Sequence, residues 1–104
     1  MIISTTENIA GRSVSKQLGI ATGNTVRAKH VGRDIMAGLK TIVGGEVSGY
    51  TEMLSESRNQ ALDRMIMQGK AMEADAIVNV RFTTSQVAQG MSEMLAYGTA
   101  VKLA

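Results

Sequence analysis

The feature that most constrains this chain is a long amphipathic stretch that runs from Ser48 to about Ala74. Ser48 is a favourable N-cap residue, and the apolar side chains that follow recur at helical spacing. At about 100° per residue, one stripe of the helical wheel collects a continuous apolar set. This set comprises Tyr50, Leu54, Ala61, Met65 and Met72. The pattern predicts one long helix that packs against the rest of the domain.

The predicted helix carries more apolar surface than a single packing partner can cover. Its apolar arc spans roughly 220° of the wheel, whereas a helix that packs once needs an arc of only about 100°. Either a short helix predicted at about residues 34–43 covers the excess, or a second copy of the chain does. We expect a homo-oligomer, with small residues of the last strand also at the interface. The interface candidates are Met53, Leu62, Ile66, Met67, Ala96, Gly98 and Ala100.

Segments with the residue pattern of β-strands precede and follow the predicted helices in the sequence. Residues 2–5 form a short candidate, and residues 18–29 form either a hairpin about Gly23-Asn24 or one bent strand with a bulge at Gly19. Apolar residues alternate over 76–83 and again over 94–103. The chain is therefore predicted to be a two-layer α+β domain, with an antiparallel sheet packed against one long helix.

Composition narrows the class of protein. The 104 residues carry a net charge of +2 and are 44% hydrophobic, which fits one globular domain over residues 1–104. There is no Cys or Trp, and aromatic residues make up 3% of the chain, so a nucleic-acid partner is not expected. No apolar run is long enough to span a bilayer, and the N-terminus lacks a signal-peptide pattern. We expect a cytoplasmic protein with no membrane partner.

Two groups of residues are candidates for binding chemistry. His30 and Asp34 could form part of a metal site, completed by distant carboxylates or by another subunit. A basic cluster beside a glycine-rich turn could instead bind an anion through guanidinium, ammonium and backbone N–H groups. This second group comprises Arg27, Lys29, Arg33, Gly44, Gly45 and Ser48. The sequence contains no recognisable catalytic set, and no cofactor is predicted apart from a metal ion.

Three segments carry a resemblance to a known family. They are residues 34–46 with Tyr50-Thr51 just beyond, Arg58 with Ala61-Leu62 followed by residues 74–81, and residues 97–101. In this order and spacing the chain resembles the YbjQ-like family over essentially its whole length. Relatives often carry Gly where this chain has Glu73, at the turn from helix to strand.

The resemblance implies a dodecin-subunit-like fold. Its core would be strand, long helix and two strands, in an antiparallel sheet of order 1-3-2, here with an extra N-terminal strand and a short helix. It also implies a homopentameric ring and the heavy-metal binding ascribed to the family.

The function expected from these observations is binding or scaffolding by a ring, with a site for a small molecule or ion between subunits. The alternatives are a metal-binding protein that uses His30 with carboxylates, and an enzyme whose site is built across the interface. Binding is favoured over catalysis, because no acid–base or nucleophile set is visible within one chain.

Overall fold

The computed structural model describes the backbone of residues 1–28, 42–43 and 46–104, and the side chains of residues 1–27 and 51–104. Within these ranges the chain forms six strands and one helix. They are β1 (Ile2–Ile3), β2 (Val14–Ala28), β3 (Ile42–Val43), β4 (Glu46–Val47), α1 (Ser48–Ala71), β5 (Ala76–Ala88) and β6 (Met91–Leu103).

The predicted short helix at about 34–43 lies outside the described residues except at its end. There the prediction is wrong, because Ile42–Val43 is a strand that pairs antiparallel with β4. Two β-branched residues in succession favour an extended backbone, and here they find a partner strand.

The main sheet has four strands in the order β1-β5-β6-β2. Its three long strands are antiparallel neighbours, which matches the 1-3-2 order that the family resemblance implied. The prediction of a wholly antiparallel sheet is wrong, since β1 pairs parallel with β5. The amide of Ile2 donates to the Asp75 carbonyl and that of Ser4 to the Ile77 carbonyl, so the N-terminus extends the sheet by one strand.

β2 is one bent strand, not a hairpin. It pairs with β6 along its whole length, with a register shift between Gln17 and Gly19. Gly19 has a φ of 132°, a conformation that glycine adopts readily and that fits a bulge. Gly23 lies within the strand and provides space: a Cβ there would overlap the carbonyl oxygen of Ala61 and the amide nitrogen of Met65. At this point the backbones of strand and helix are in contact.

The buried stripe of α1 largely follows the predicted helical face. Ala61 and Met65 are fully buried, Met72 packs against the same core cluster, and Leu54, predicted in the stripe, is 45% exposed. The helix ends in a turn in which Ala74 N–H donates to the Gly69 carbonyl and Glu73 N–H to the Lys70 carbonyl. This is the Schellman pattern, and it places Glu73 at a φ of 62°.

Alternate residues of β6 face α1 of the same chain, and this changes the assignment of three predicted interface residues. Ala96 and Ala100 are fully buried in the core cluster beneath the helix, and Gly98 is buried as well. A Cβ at Gly98 would lie 2.7 Å from Cγ2 of Ile77. The small side chains admit this chain's own helix and its neighbouring strand, so they do not form an exposed interface as predicted.

The opposite face of the sheet is covered only at one end. Ile9, from the segment between β1 and β2, packs on a second cluster that consists of Ala76, Val78, Val101 and Leu103. Further along the sheet, Ile20 is 71%, Val26 48% and Tyr97 38% exposed on this face. No described residue covers this part of the sheet, which we call the bare face.

Among the described residues, no helix is long and apolar enough to cross a membrane.

We expect Gly23→Ala to destabilise the fold by about 3 kcal/mol, because the added methyl group meets backbone atoms that no rotamer change can move away. Urea unfolding measures this free energy. Gly11→Ala is the control, since nothing lies within 4 Å of its Cβ and only its positive φ is strained. An equal loss of stability in the two variants would contradict close backbone packing at Gly23.

We expect Glu73→Gly to stabilise the fold by about 0.5–1 kcal/mol. Glycine removes the strain of the left-handed conformation at Glu73 and, in return, increases the entropy of the unfolded chain. Glu73→Ala keeps the strain and should gain nothing. Thermal unfolding of the two variants beside the native chain measures the difference, and equal midpoints for both variants would contradict the turn geometry.

Candidate functional site

A groove opens between the N-terminal half of α1 and the neighbouring ends of β2, β5 and β6. Its volume is about 340 Å³, within the range of small-molecule sites. The helix supplies one wall and the three strands supply the other. The lining residues are Thr25, Arg27, Met53, Leu54, Ser57, Arg58, Thr84, Ser92, Glu93 and Met94.

The interior of the groove is mainly apolar. Met94 is 8% exposed and forms part of the core, while Met53 is half-buried and Leu54 is exposed at the mouth. Methionine side chains are flexible and polarizable, so they adapt to ligands of irregular shape. This part of the groove can accept an alkyl chain or a ring.

One buried hydrogen bond holds the two walls together. The Thr25 hydroxyl, on β2, donates to the backbone carbonyl of Ser57, on α1, at 3.3 Å. Both residues are buried, with exposures of 2% and 5%. The bond fixes the helix backbone against the strand where the groove begins, so the walls are positioned without a ligand.

Arg27 lies at one side of the groove and is held by side chains from the helix. Its Nη2 donates to Oε1 of Gln60 at 3.2 Å, and its Nη1 lies 3.7 Å from Oε2 of Glu56. The guanidinium is therefore oriented by two residues one helical turn apart. Its charge is partly balanced by Glu56, so Arg27 contributes less to anion binding than a free arginine would.

Arg58 lies on α1 and is held less firmly than Arg27, by one hydrogen bond among the described residues. Its Nη2 donates to the Ser55 hydroxyl at 3.3 Å, a neutral partner. The ion pairs found among the described residues do not include Arg58. Most of its five N–H donors thus have no partner among the described residues, and a guanidinium can bind a carboxylate or a sulfonate through two parallel hydrogen bonds.

Glu93 contributes to the lining of the groove, but it pairs with Val26 of the bare face, so its carboxylate lies on the opposite side of the sheet and is held there by neutral groups. Nδ2 of Asn24 donates to Oε2 at 3.1 Å, and the Ser85 hydroxyl donates to Oε1 at 3.4 Å. Since the Glu93 carboxylate lies on the other face of the sheet, no carboxylate among the described residues neutralises the guanidinium of Arg58. The groove therefore combines an apolar interior with one arginine ready for an anion.

The predicted anion-binding residues are only partly described. Arg27 lines the groove, and its role in anion binding stays a prediction. Ser48 begins α1, but its side chain lies outside the described set, as do Lys29, Arg33, Gly44 and Gly45 in full. Arg58 was not predicted as a binding residue. Its spacing of four residues from Leu54 was an available signal, because side chains at i and i+4 are neighbours on one face of a helix, and both residues line the groove.

The predicted interface residues of the helix have different environments. Met53 lines the groove, and Leu62 and Ile66 are half-buried against the core cluster. Met67 is 69% exposed. Of these four, Met67 is the one whose side chain is mostly free for contact with another molecule.

The predicted metal ligands, His30 and Asp34, lie outside the described residues. Within the described part, no group of three or more His, Asp or Glu side chains could hold a metal ion. The chain has no Cys, and His30 is its one His. Soft heavy metals prefer thiolate and imidazole ligands, so the donor set that is present does not fit them.

Comparison with known proteins gives the family. A family model described as "Putative heavy-metal-binding", YbjQ, matches residues 1–104. A UPF0145 protein of Photobacterium profundum is 62% identical over 103 residues, covering 99% of this chain and 100% of the relative. Another, from Archaeoglobus fulgidus, is also 62% identical over 103 residues and covers 95% of the relative. The resemblance seen in the sequence is confirmed.

A solved structure supports the fold. It is the crystal structure of a protein of unknown function of the DUF74 family from Pediococcus pentosaceus, with a TM-score of 0.66 and 15% sequence identity. The match covers 100% of this chain and 98% of the other.

Proposed function

This chain belongs to the YbjQ family of UPF0145 proteins, and we propose that it is a homo-oligomeric binding protein whose groove takes a small amphipathic anion. The observation that carries the proposal is the position of Arg58, without a carboxylate partner among the described residues, beside a methionine-lined groove. An alkyl or aryl carboxylate or sulfonate fits both features.

Binding is favoured over catalysis by the chemistry of the lining. Among the described lining residues, the ionisable side chains that face the groove are those of Arg27 and Arg58, because the carboxylate of Glu93 is held by Asn24 and Ser85 on the opposite face of the sheet. General acid–base catalysis needs a group that can exchange a proton near neutral pH, and arginine does not. Among the described lining residues, no base lies beside the hydroxyls of Ser57, Thr84 and Ser92, which can donate hydrogen bonds to a ligand.

The ring is the second part of the proposal, and two separate apolar surfaces support it. Met67 is exposed on the helix layer, and Ile20, Val26 and Tyr97 are exposed on the bare face of the sheet. The two surfaces lie on opposite layers of the domain. A contact that joins two different surfaces is heterologous, and it generates a closed ring when the rotation between copies permits. The family resemblance implies five copies.

The groove prediction uses anilinonaphthalene sulfonate, a fluorescent amphipathic anion, as the probe, with octanoate and octanol as competitors. Arg58→Ala should weaken binding of the probe about tenfold, through loss of a charge-assisted hydrogen-bonded pair. Octanoate should displace the probe at lower concentration than octanol. Fluorescence titration measures both effects.

Arg12→Ala is the matched control, because it removes the same charge from an exposed position away from the groove. Equal affinity of the two variants for the probe, or equal displacement by octanoate and octanol, would overturn the anion site.

The assembly prediction uses Met67→Glu, which places a charge on the exposed apolar surface of α1. We expect this variant to sediment near the monomer mass of 11.0 kDa while the native chain gives a multiple of it. Asn59→Glu introduces a charge at another exposed position of the helix and should leave the native mass unchanged. A native chain of monomer mass at micromolar concentration, measured by light scattering, would refute the ring.

A further inference from the structure

Side chains spaced four residues apart form rows along α1, and each row has its own relation to the sheet. The middle row is buried against the sheet and consists of Ser57, Ala61, Met65 and Gly69. A second row reaches β2, the edge strand, and consists of Glu56, Gln60, Arg64 and Gln68. The third row lies on the other flank of the helix and consists of Leu54, Arg58, Leu62 and Ile66. Residues 62 and 66 of this third row pack against the core cluster.

The two arginines of the groove therefore lie on opposite flanks of α1. Arg27, from β2, is bound by the second row through Glu56 and Gln60, whereas Arg58 belongs to the third row. Position 58 is midway between positions 56 and 60 along the helix, so the two arginines lie at about the same level. A helix with its side chains is about 10–12 Å across. The groove thus has one arginine at each side, separated by about the width of the helix.

Between the two arginines, the lining is mainly apolar. The strand registers place Thr25, Met94 and Thr84 in one row across β2, β6 and β5. Met53 and Leu54 line the helix side of the same groove. An apolar spacer fits this middle part, because it needs no hydrogen-bond partner there.

The contact of Arg27 with Glu56 is one that a ligand can replace. Nη1 of Arg27 lies 3.7 Å from Oε2 of Glu56, beyond hydrogen-bond distance, and the Glu56 side chain is 72% exposed. An exposed ion pair contributes little to stability, because water solvates both charges. A second carboxylate on a ligand already bound at Arg58 would be held near Arg27 by its own spacer, which raises its effective concentration there.

We propose that the ligand of the groove is a dianion with an apolar spacer, in its simplest form an α,ω-dicarboxylate. One anionic group binds Arg58, and the other binds Arg27 in place of Glu56. This inference rests on the proposed function of the groove and adds to it a second charge on the ligand. It makes Arg27 a specificity-determining residue that selects dianions over monoanions.

Displacement of anilinonaphthalene sulfonate from the native chain tests the second charge. Hexanedioate, octanedioate and decanedioate are each compared with the monocarboxylate of the same chain length. We expect at least one diacid to displace half of the probe at about one tenth of the concentration that its monoacid needs, through a second charge-assisted contact. Failure of all three diacids to outcompete their monoacids would overturn the proposal.

Arg27→Ala should abolish the preference, so that the diacid and its monoacid displace the probe at equal concentrations. Arg12→Ala is the control, because it removes the same charge from an exposed position outside the groove, and it should keep the tenfold preference. Each comparison is made within one variant, so a change in affinity for the probe itself cancels. A preference that survives in Arg27→Ala would show that the net charge of the protein causes it, and it would refute the role of Arg27.

Glu56→Gln removes the competing carboxylate and leaves the lining of the groove unchanged. We expect the preferred diacid to displace half of the probe at about one third of the native concentration, because Arg27 no longer has to leave an ion pair. Asp63→Asn removes the same charge from another exposed position of α1 and should behave like the native chain. Equal diacid affinity in the two variants would contradict competition by Glu56.

The outcomes separate this inference from the proposed function. If Arg58→Ala weakens binding of the probe but no diacid is preferred, this inference fails and the anion site at Arg58 stands. If Arg58→Ala and Arg12→Ala bind the probe equally, the anion site and this inference fail together. The assembly is measured separately by sedimentation and decides the ring.

Discussion

The contact between α1 and β2 at Gly23 is the constraint on which the rest of the structure depends. Because no side chain stands between them there, the backbones of helix and strand meet directly at Ala61 and Met65. This closeness explains why the residues beneath the helix are small, notably Ala21, Ala96 and Ala100, all fully buried. Toward the N-terminus of α1 the facing residues become larger, with Met53 and Met94 in place of alanine and glycine, and the groove opens there. The close contact at Gly23 and the groove near the N-terminus of α1 are thus two parts of the same packing of helix on sheet.

Much of the fold followed from periodicity, and the errors have specific physical causes. The helix from Ser48 and the long strands of the C-terminal third were predicted because apolar residues recur with clear periods. β1 was predicted as a strand but not as a parallel one, since a two-residue pairing has no sequence signature of its direction. Gly23-Asn24 suggested a turn because glycine often supplies the positive φ that a turn needs. Glycine can also leave space for a neighbouring backbone, and the sequence does not distinguish the two roles. The sequence therefore left the hairpin and the bent strand unresolved, and the bulge at Gly19 with close packing at Gly23 supports the second.

The site was harder to predict than the fold. The groove is assembled from four elements distant in sequence, and of its lining residues only Arg27 and Met53 had been predicted as binding or interface residues. Arg58 matters because no carboxylate among the described residues neutralises its charge. Whether an ion pair forms in the folded chain cannot be read from the order of residues. The alternation that marked Ala96, Gly98 and Ala100 as a close-approach face was correct in its geometry. It could not tell which helix would approach, and the helix proved to be the chain's own.

The turn at Glu73 bears on how much folding stability this chain needs. A glutamate there adopts a backbone conformation that glycine would accept without strain. The two codons of glutamate differ from glycine codons by a single base, so the relieving substitution is always one mutation away. That the chain nonetheless carries Glu fits a protein held only above a threshold of stability, where a small gain in folding free energy gives selection little to act on. The fold therefore tolerates this conformational strain at the end of α1, away from the groove.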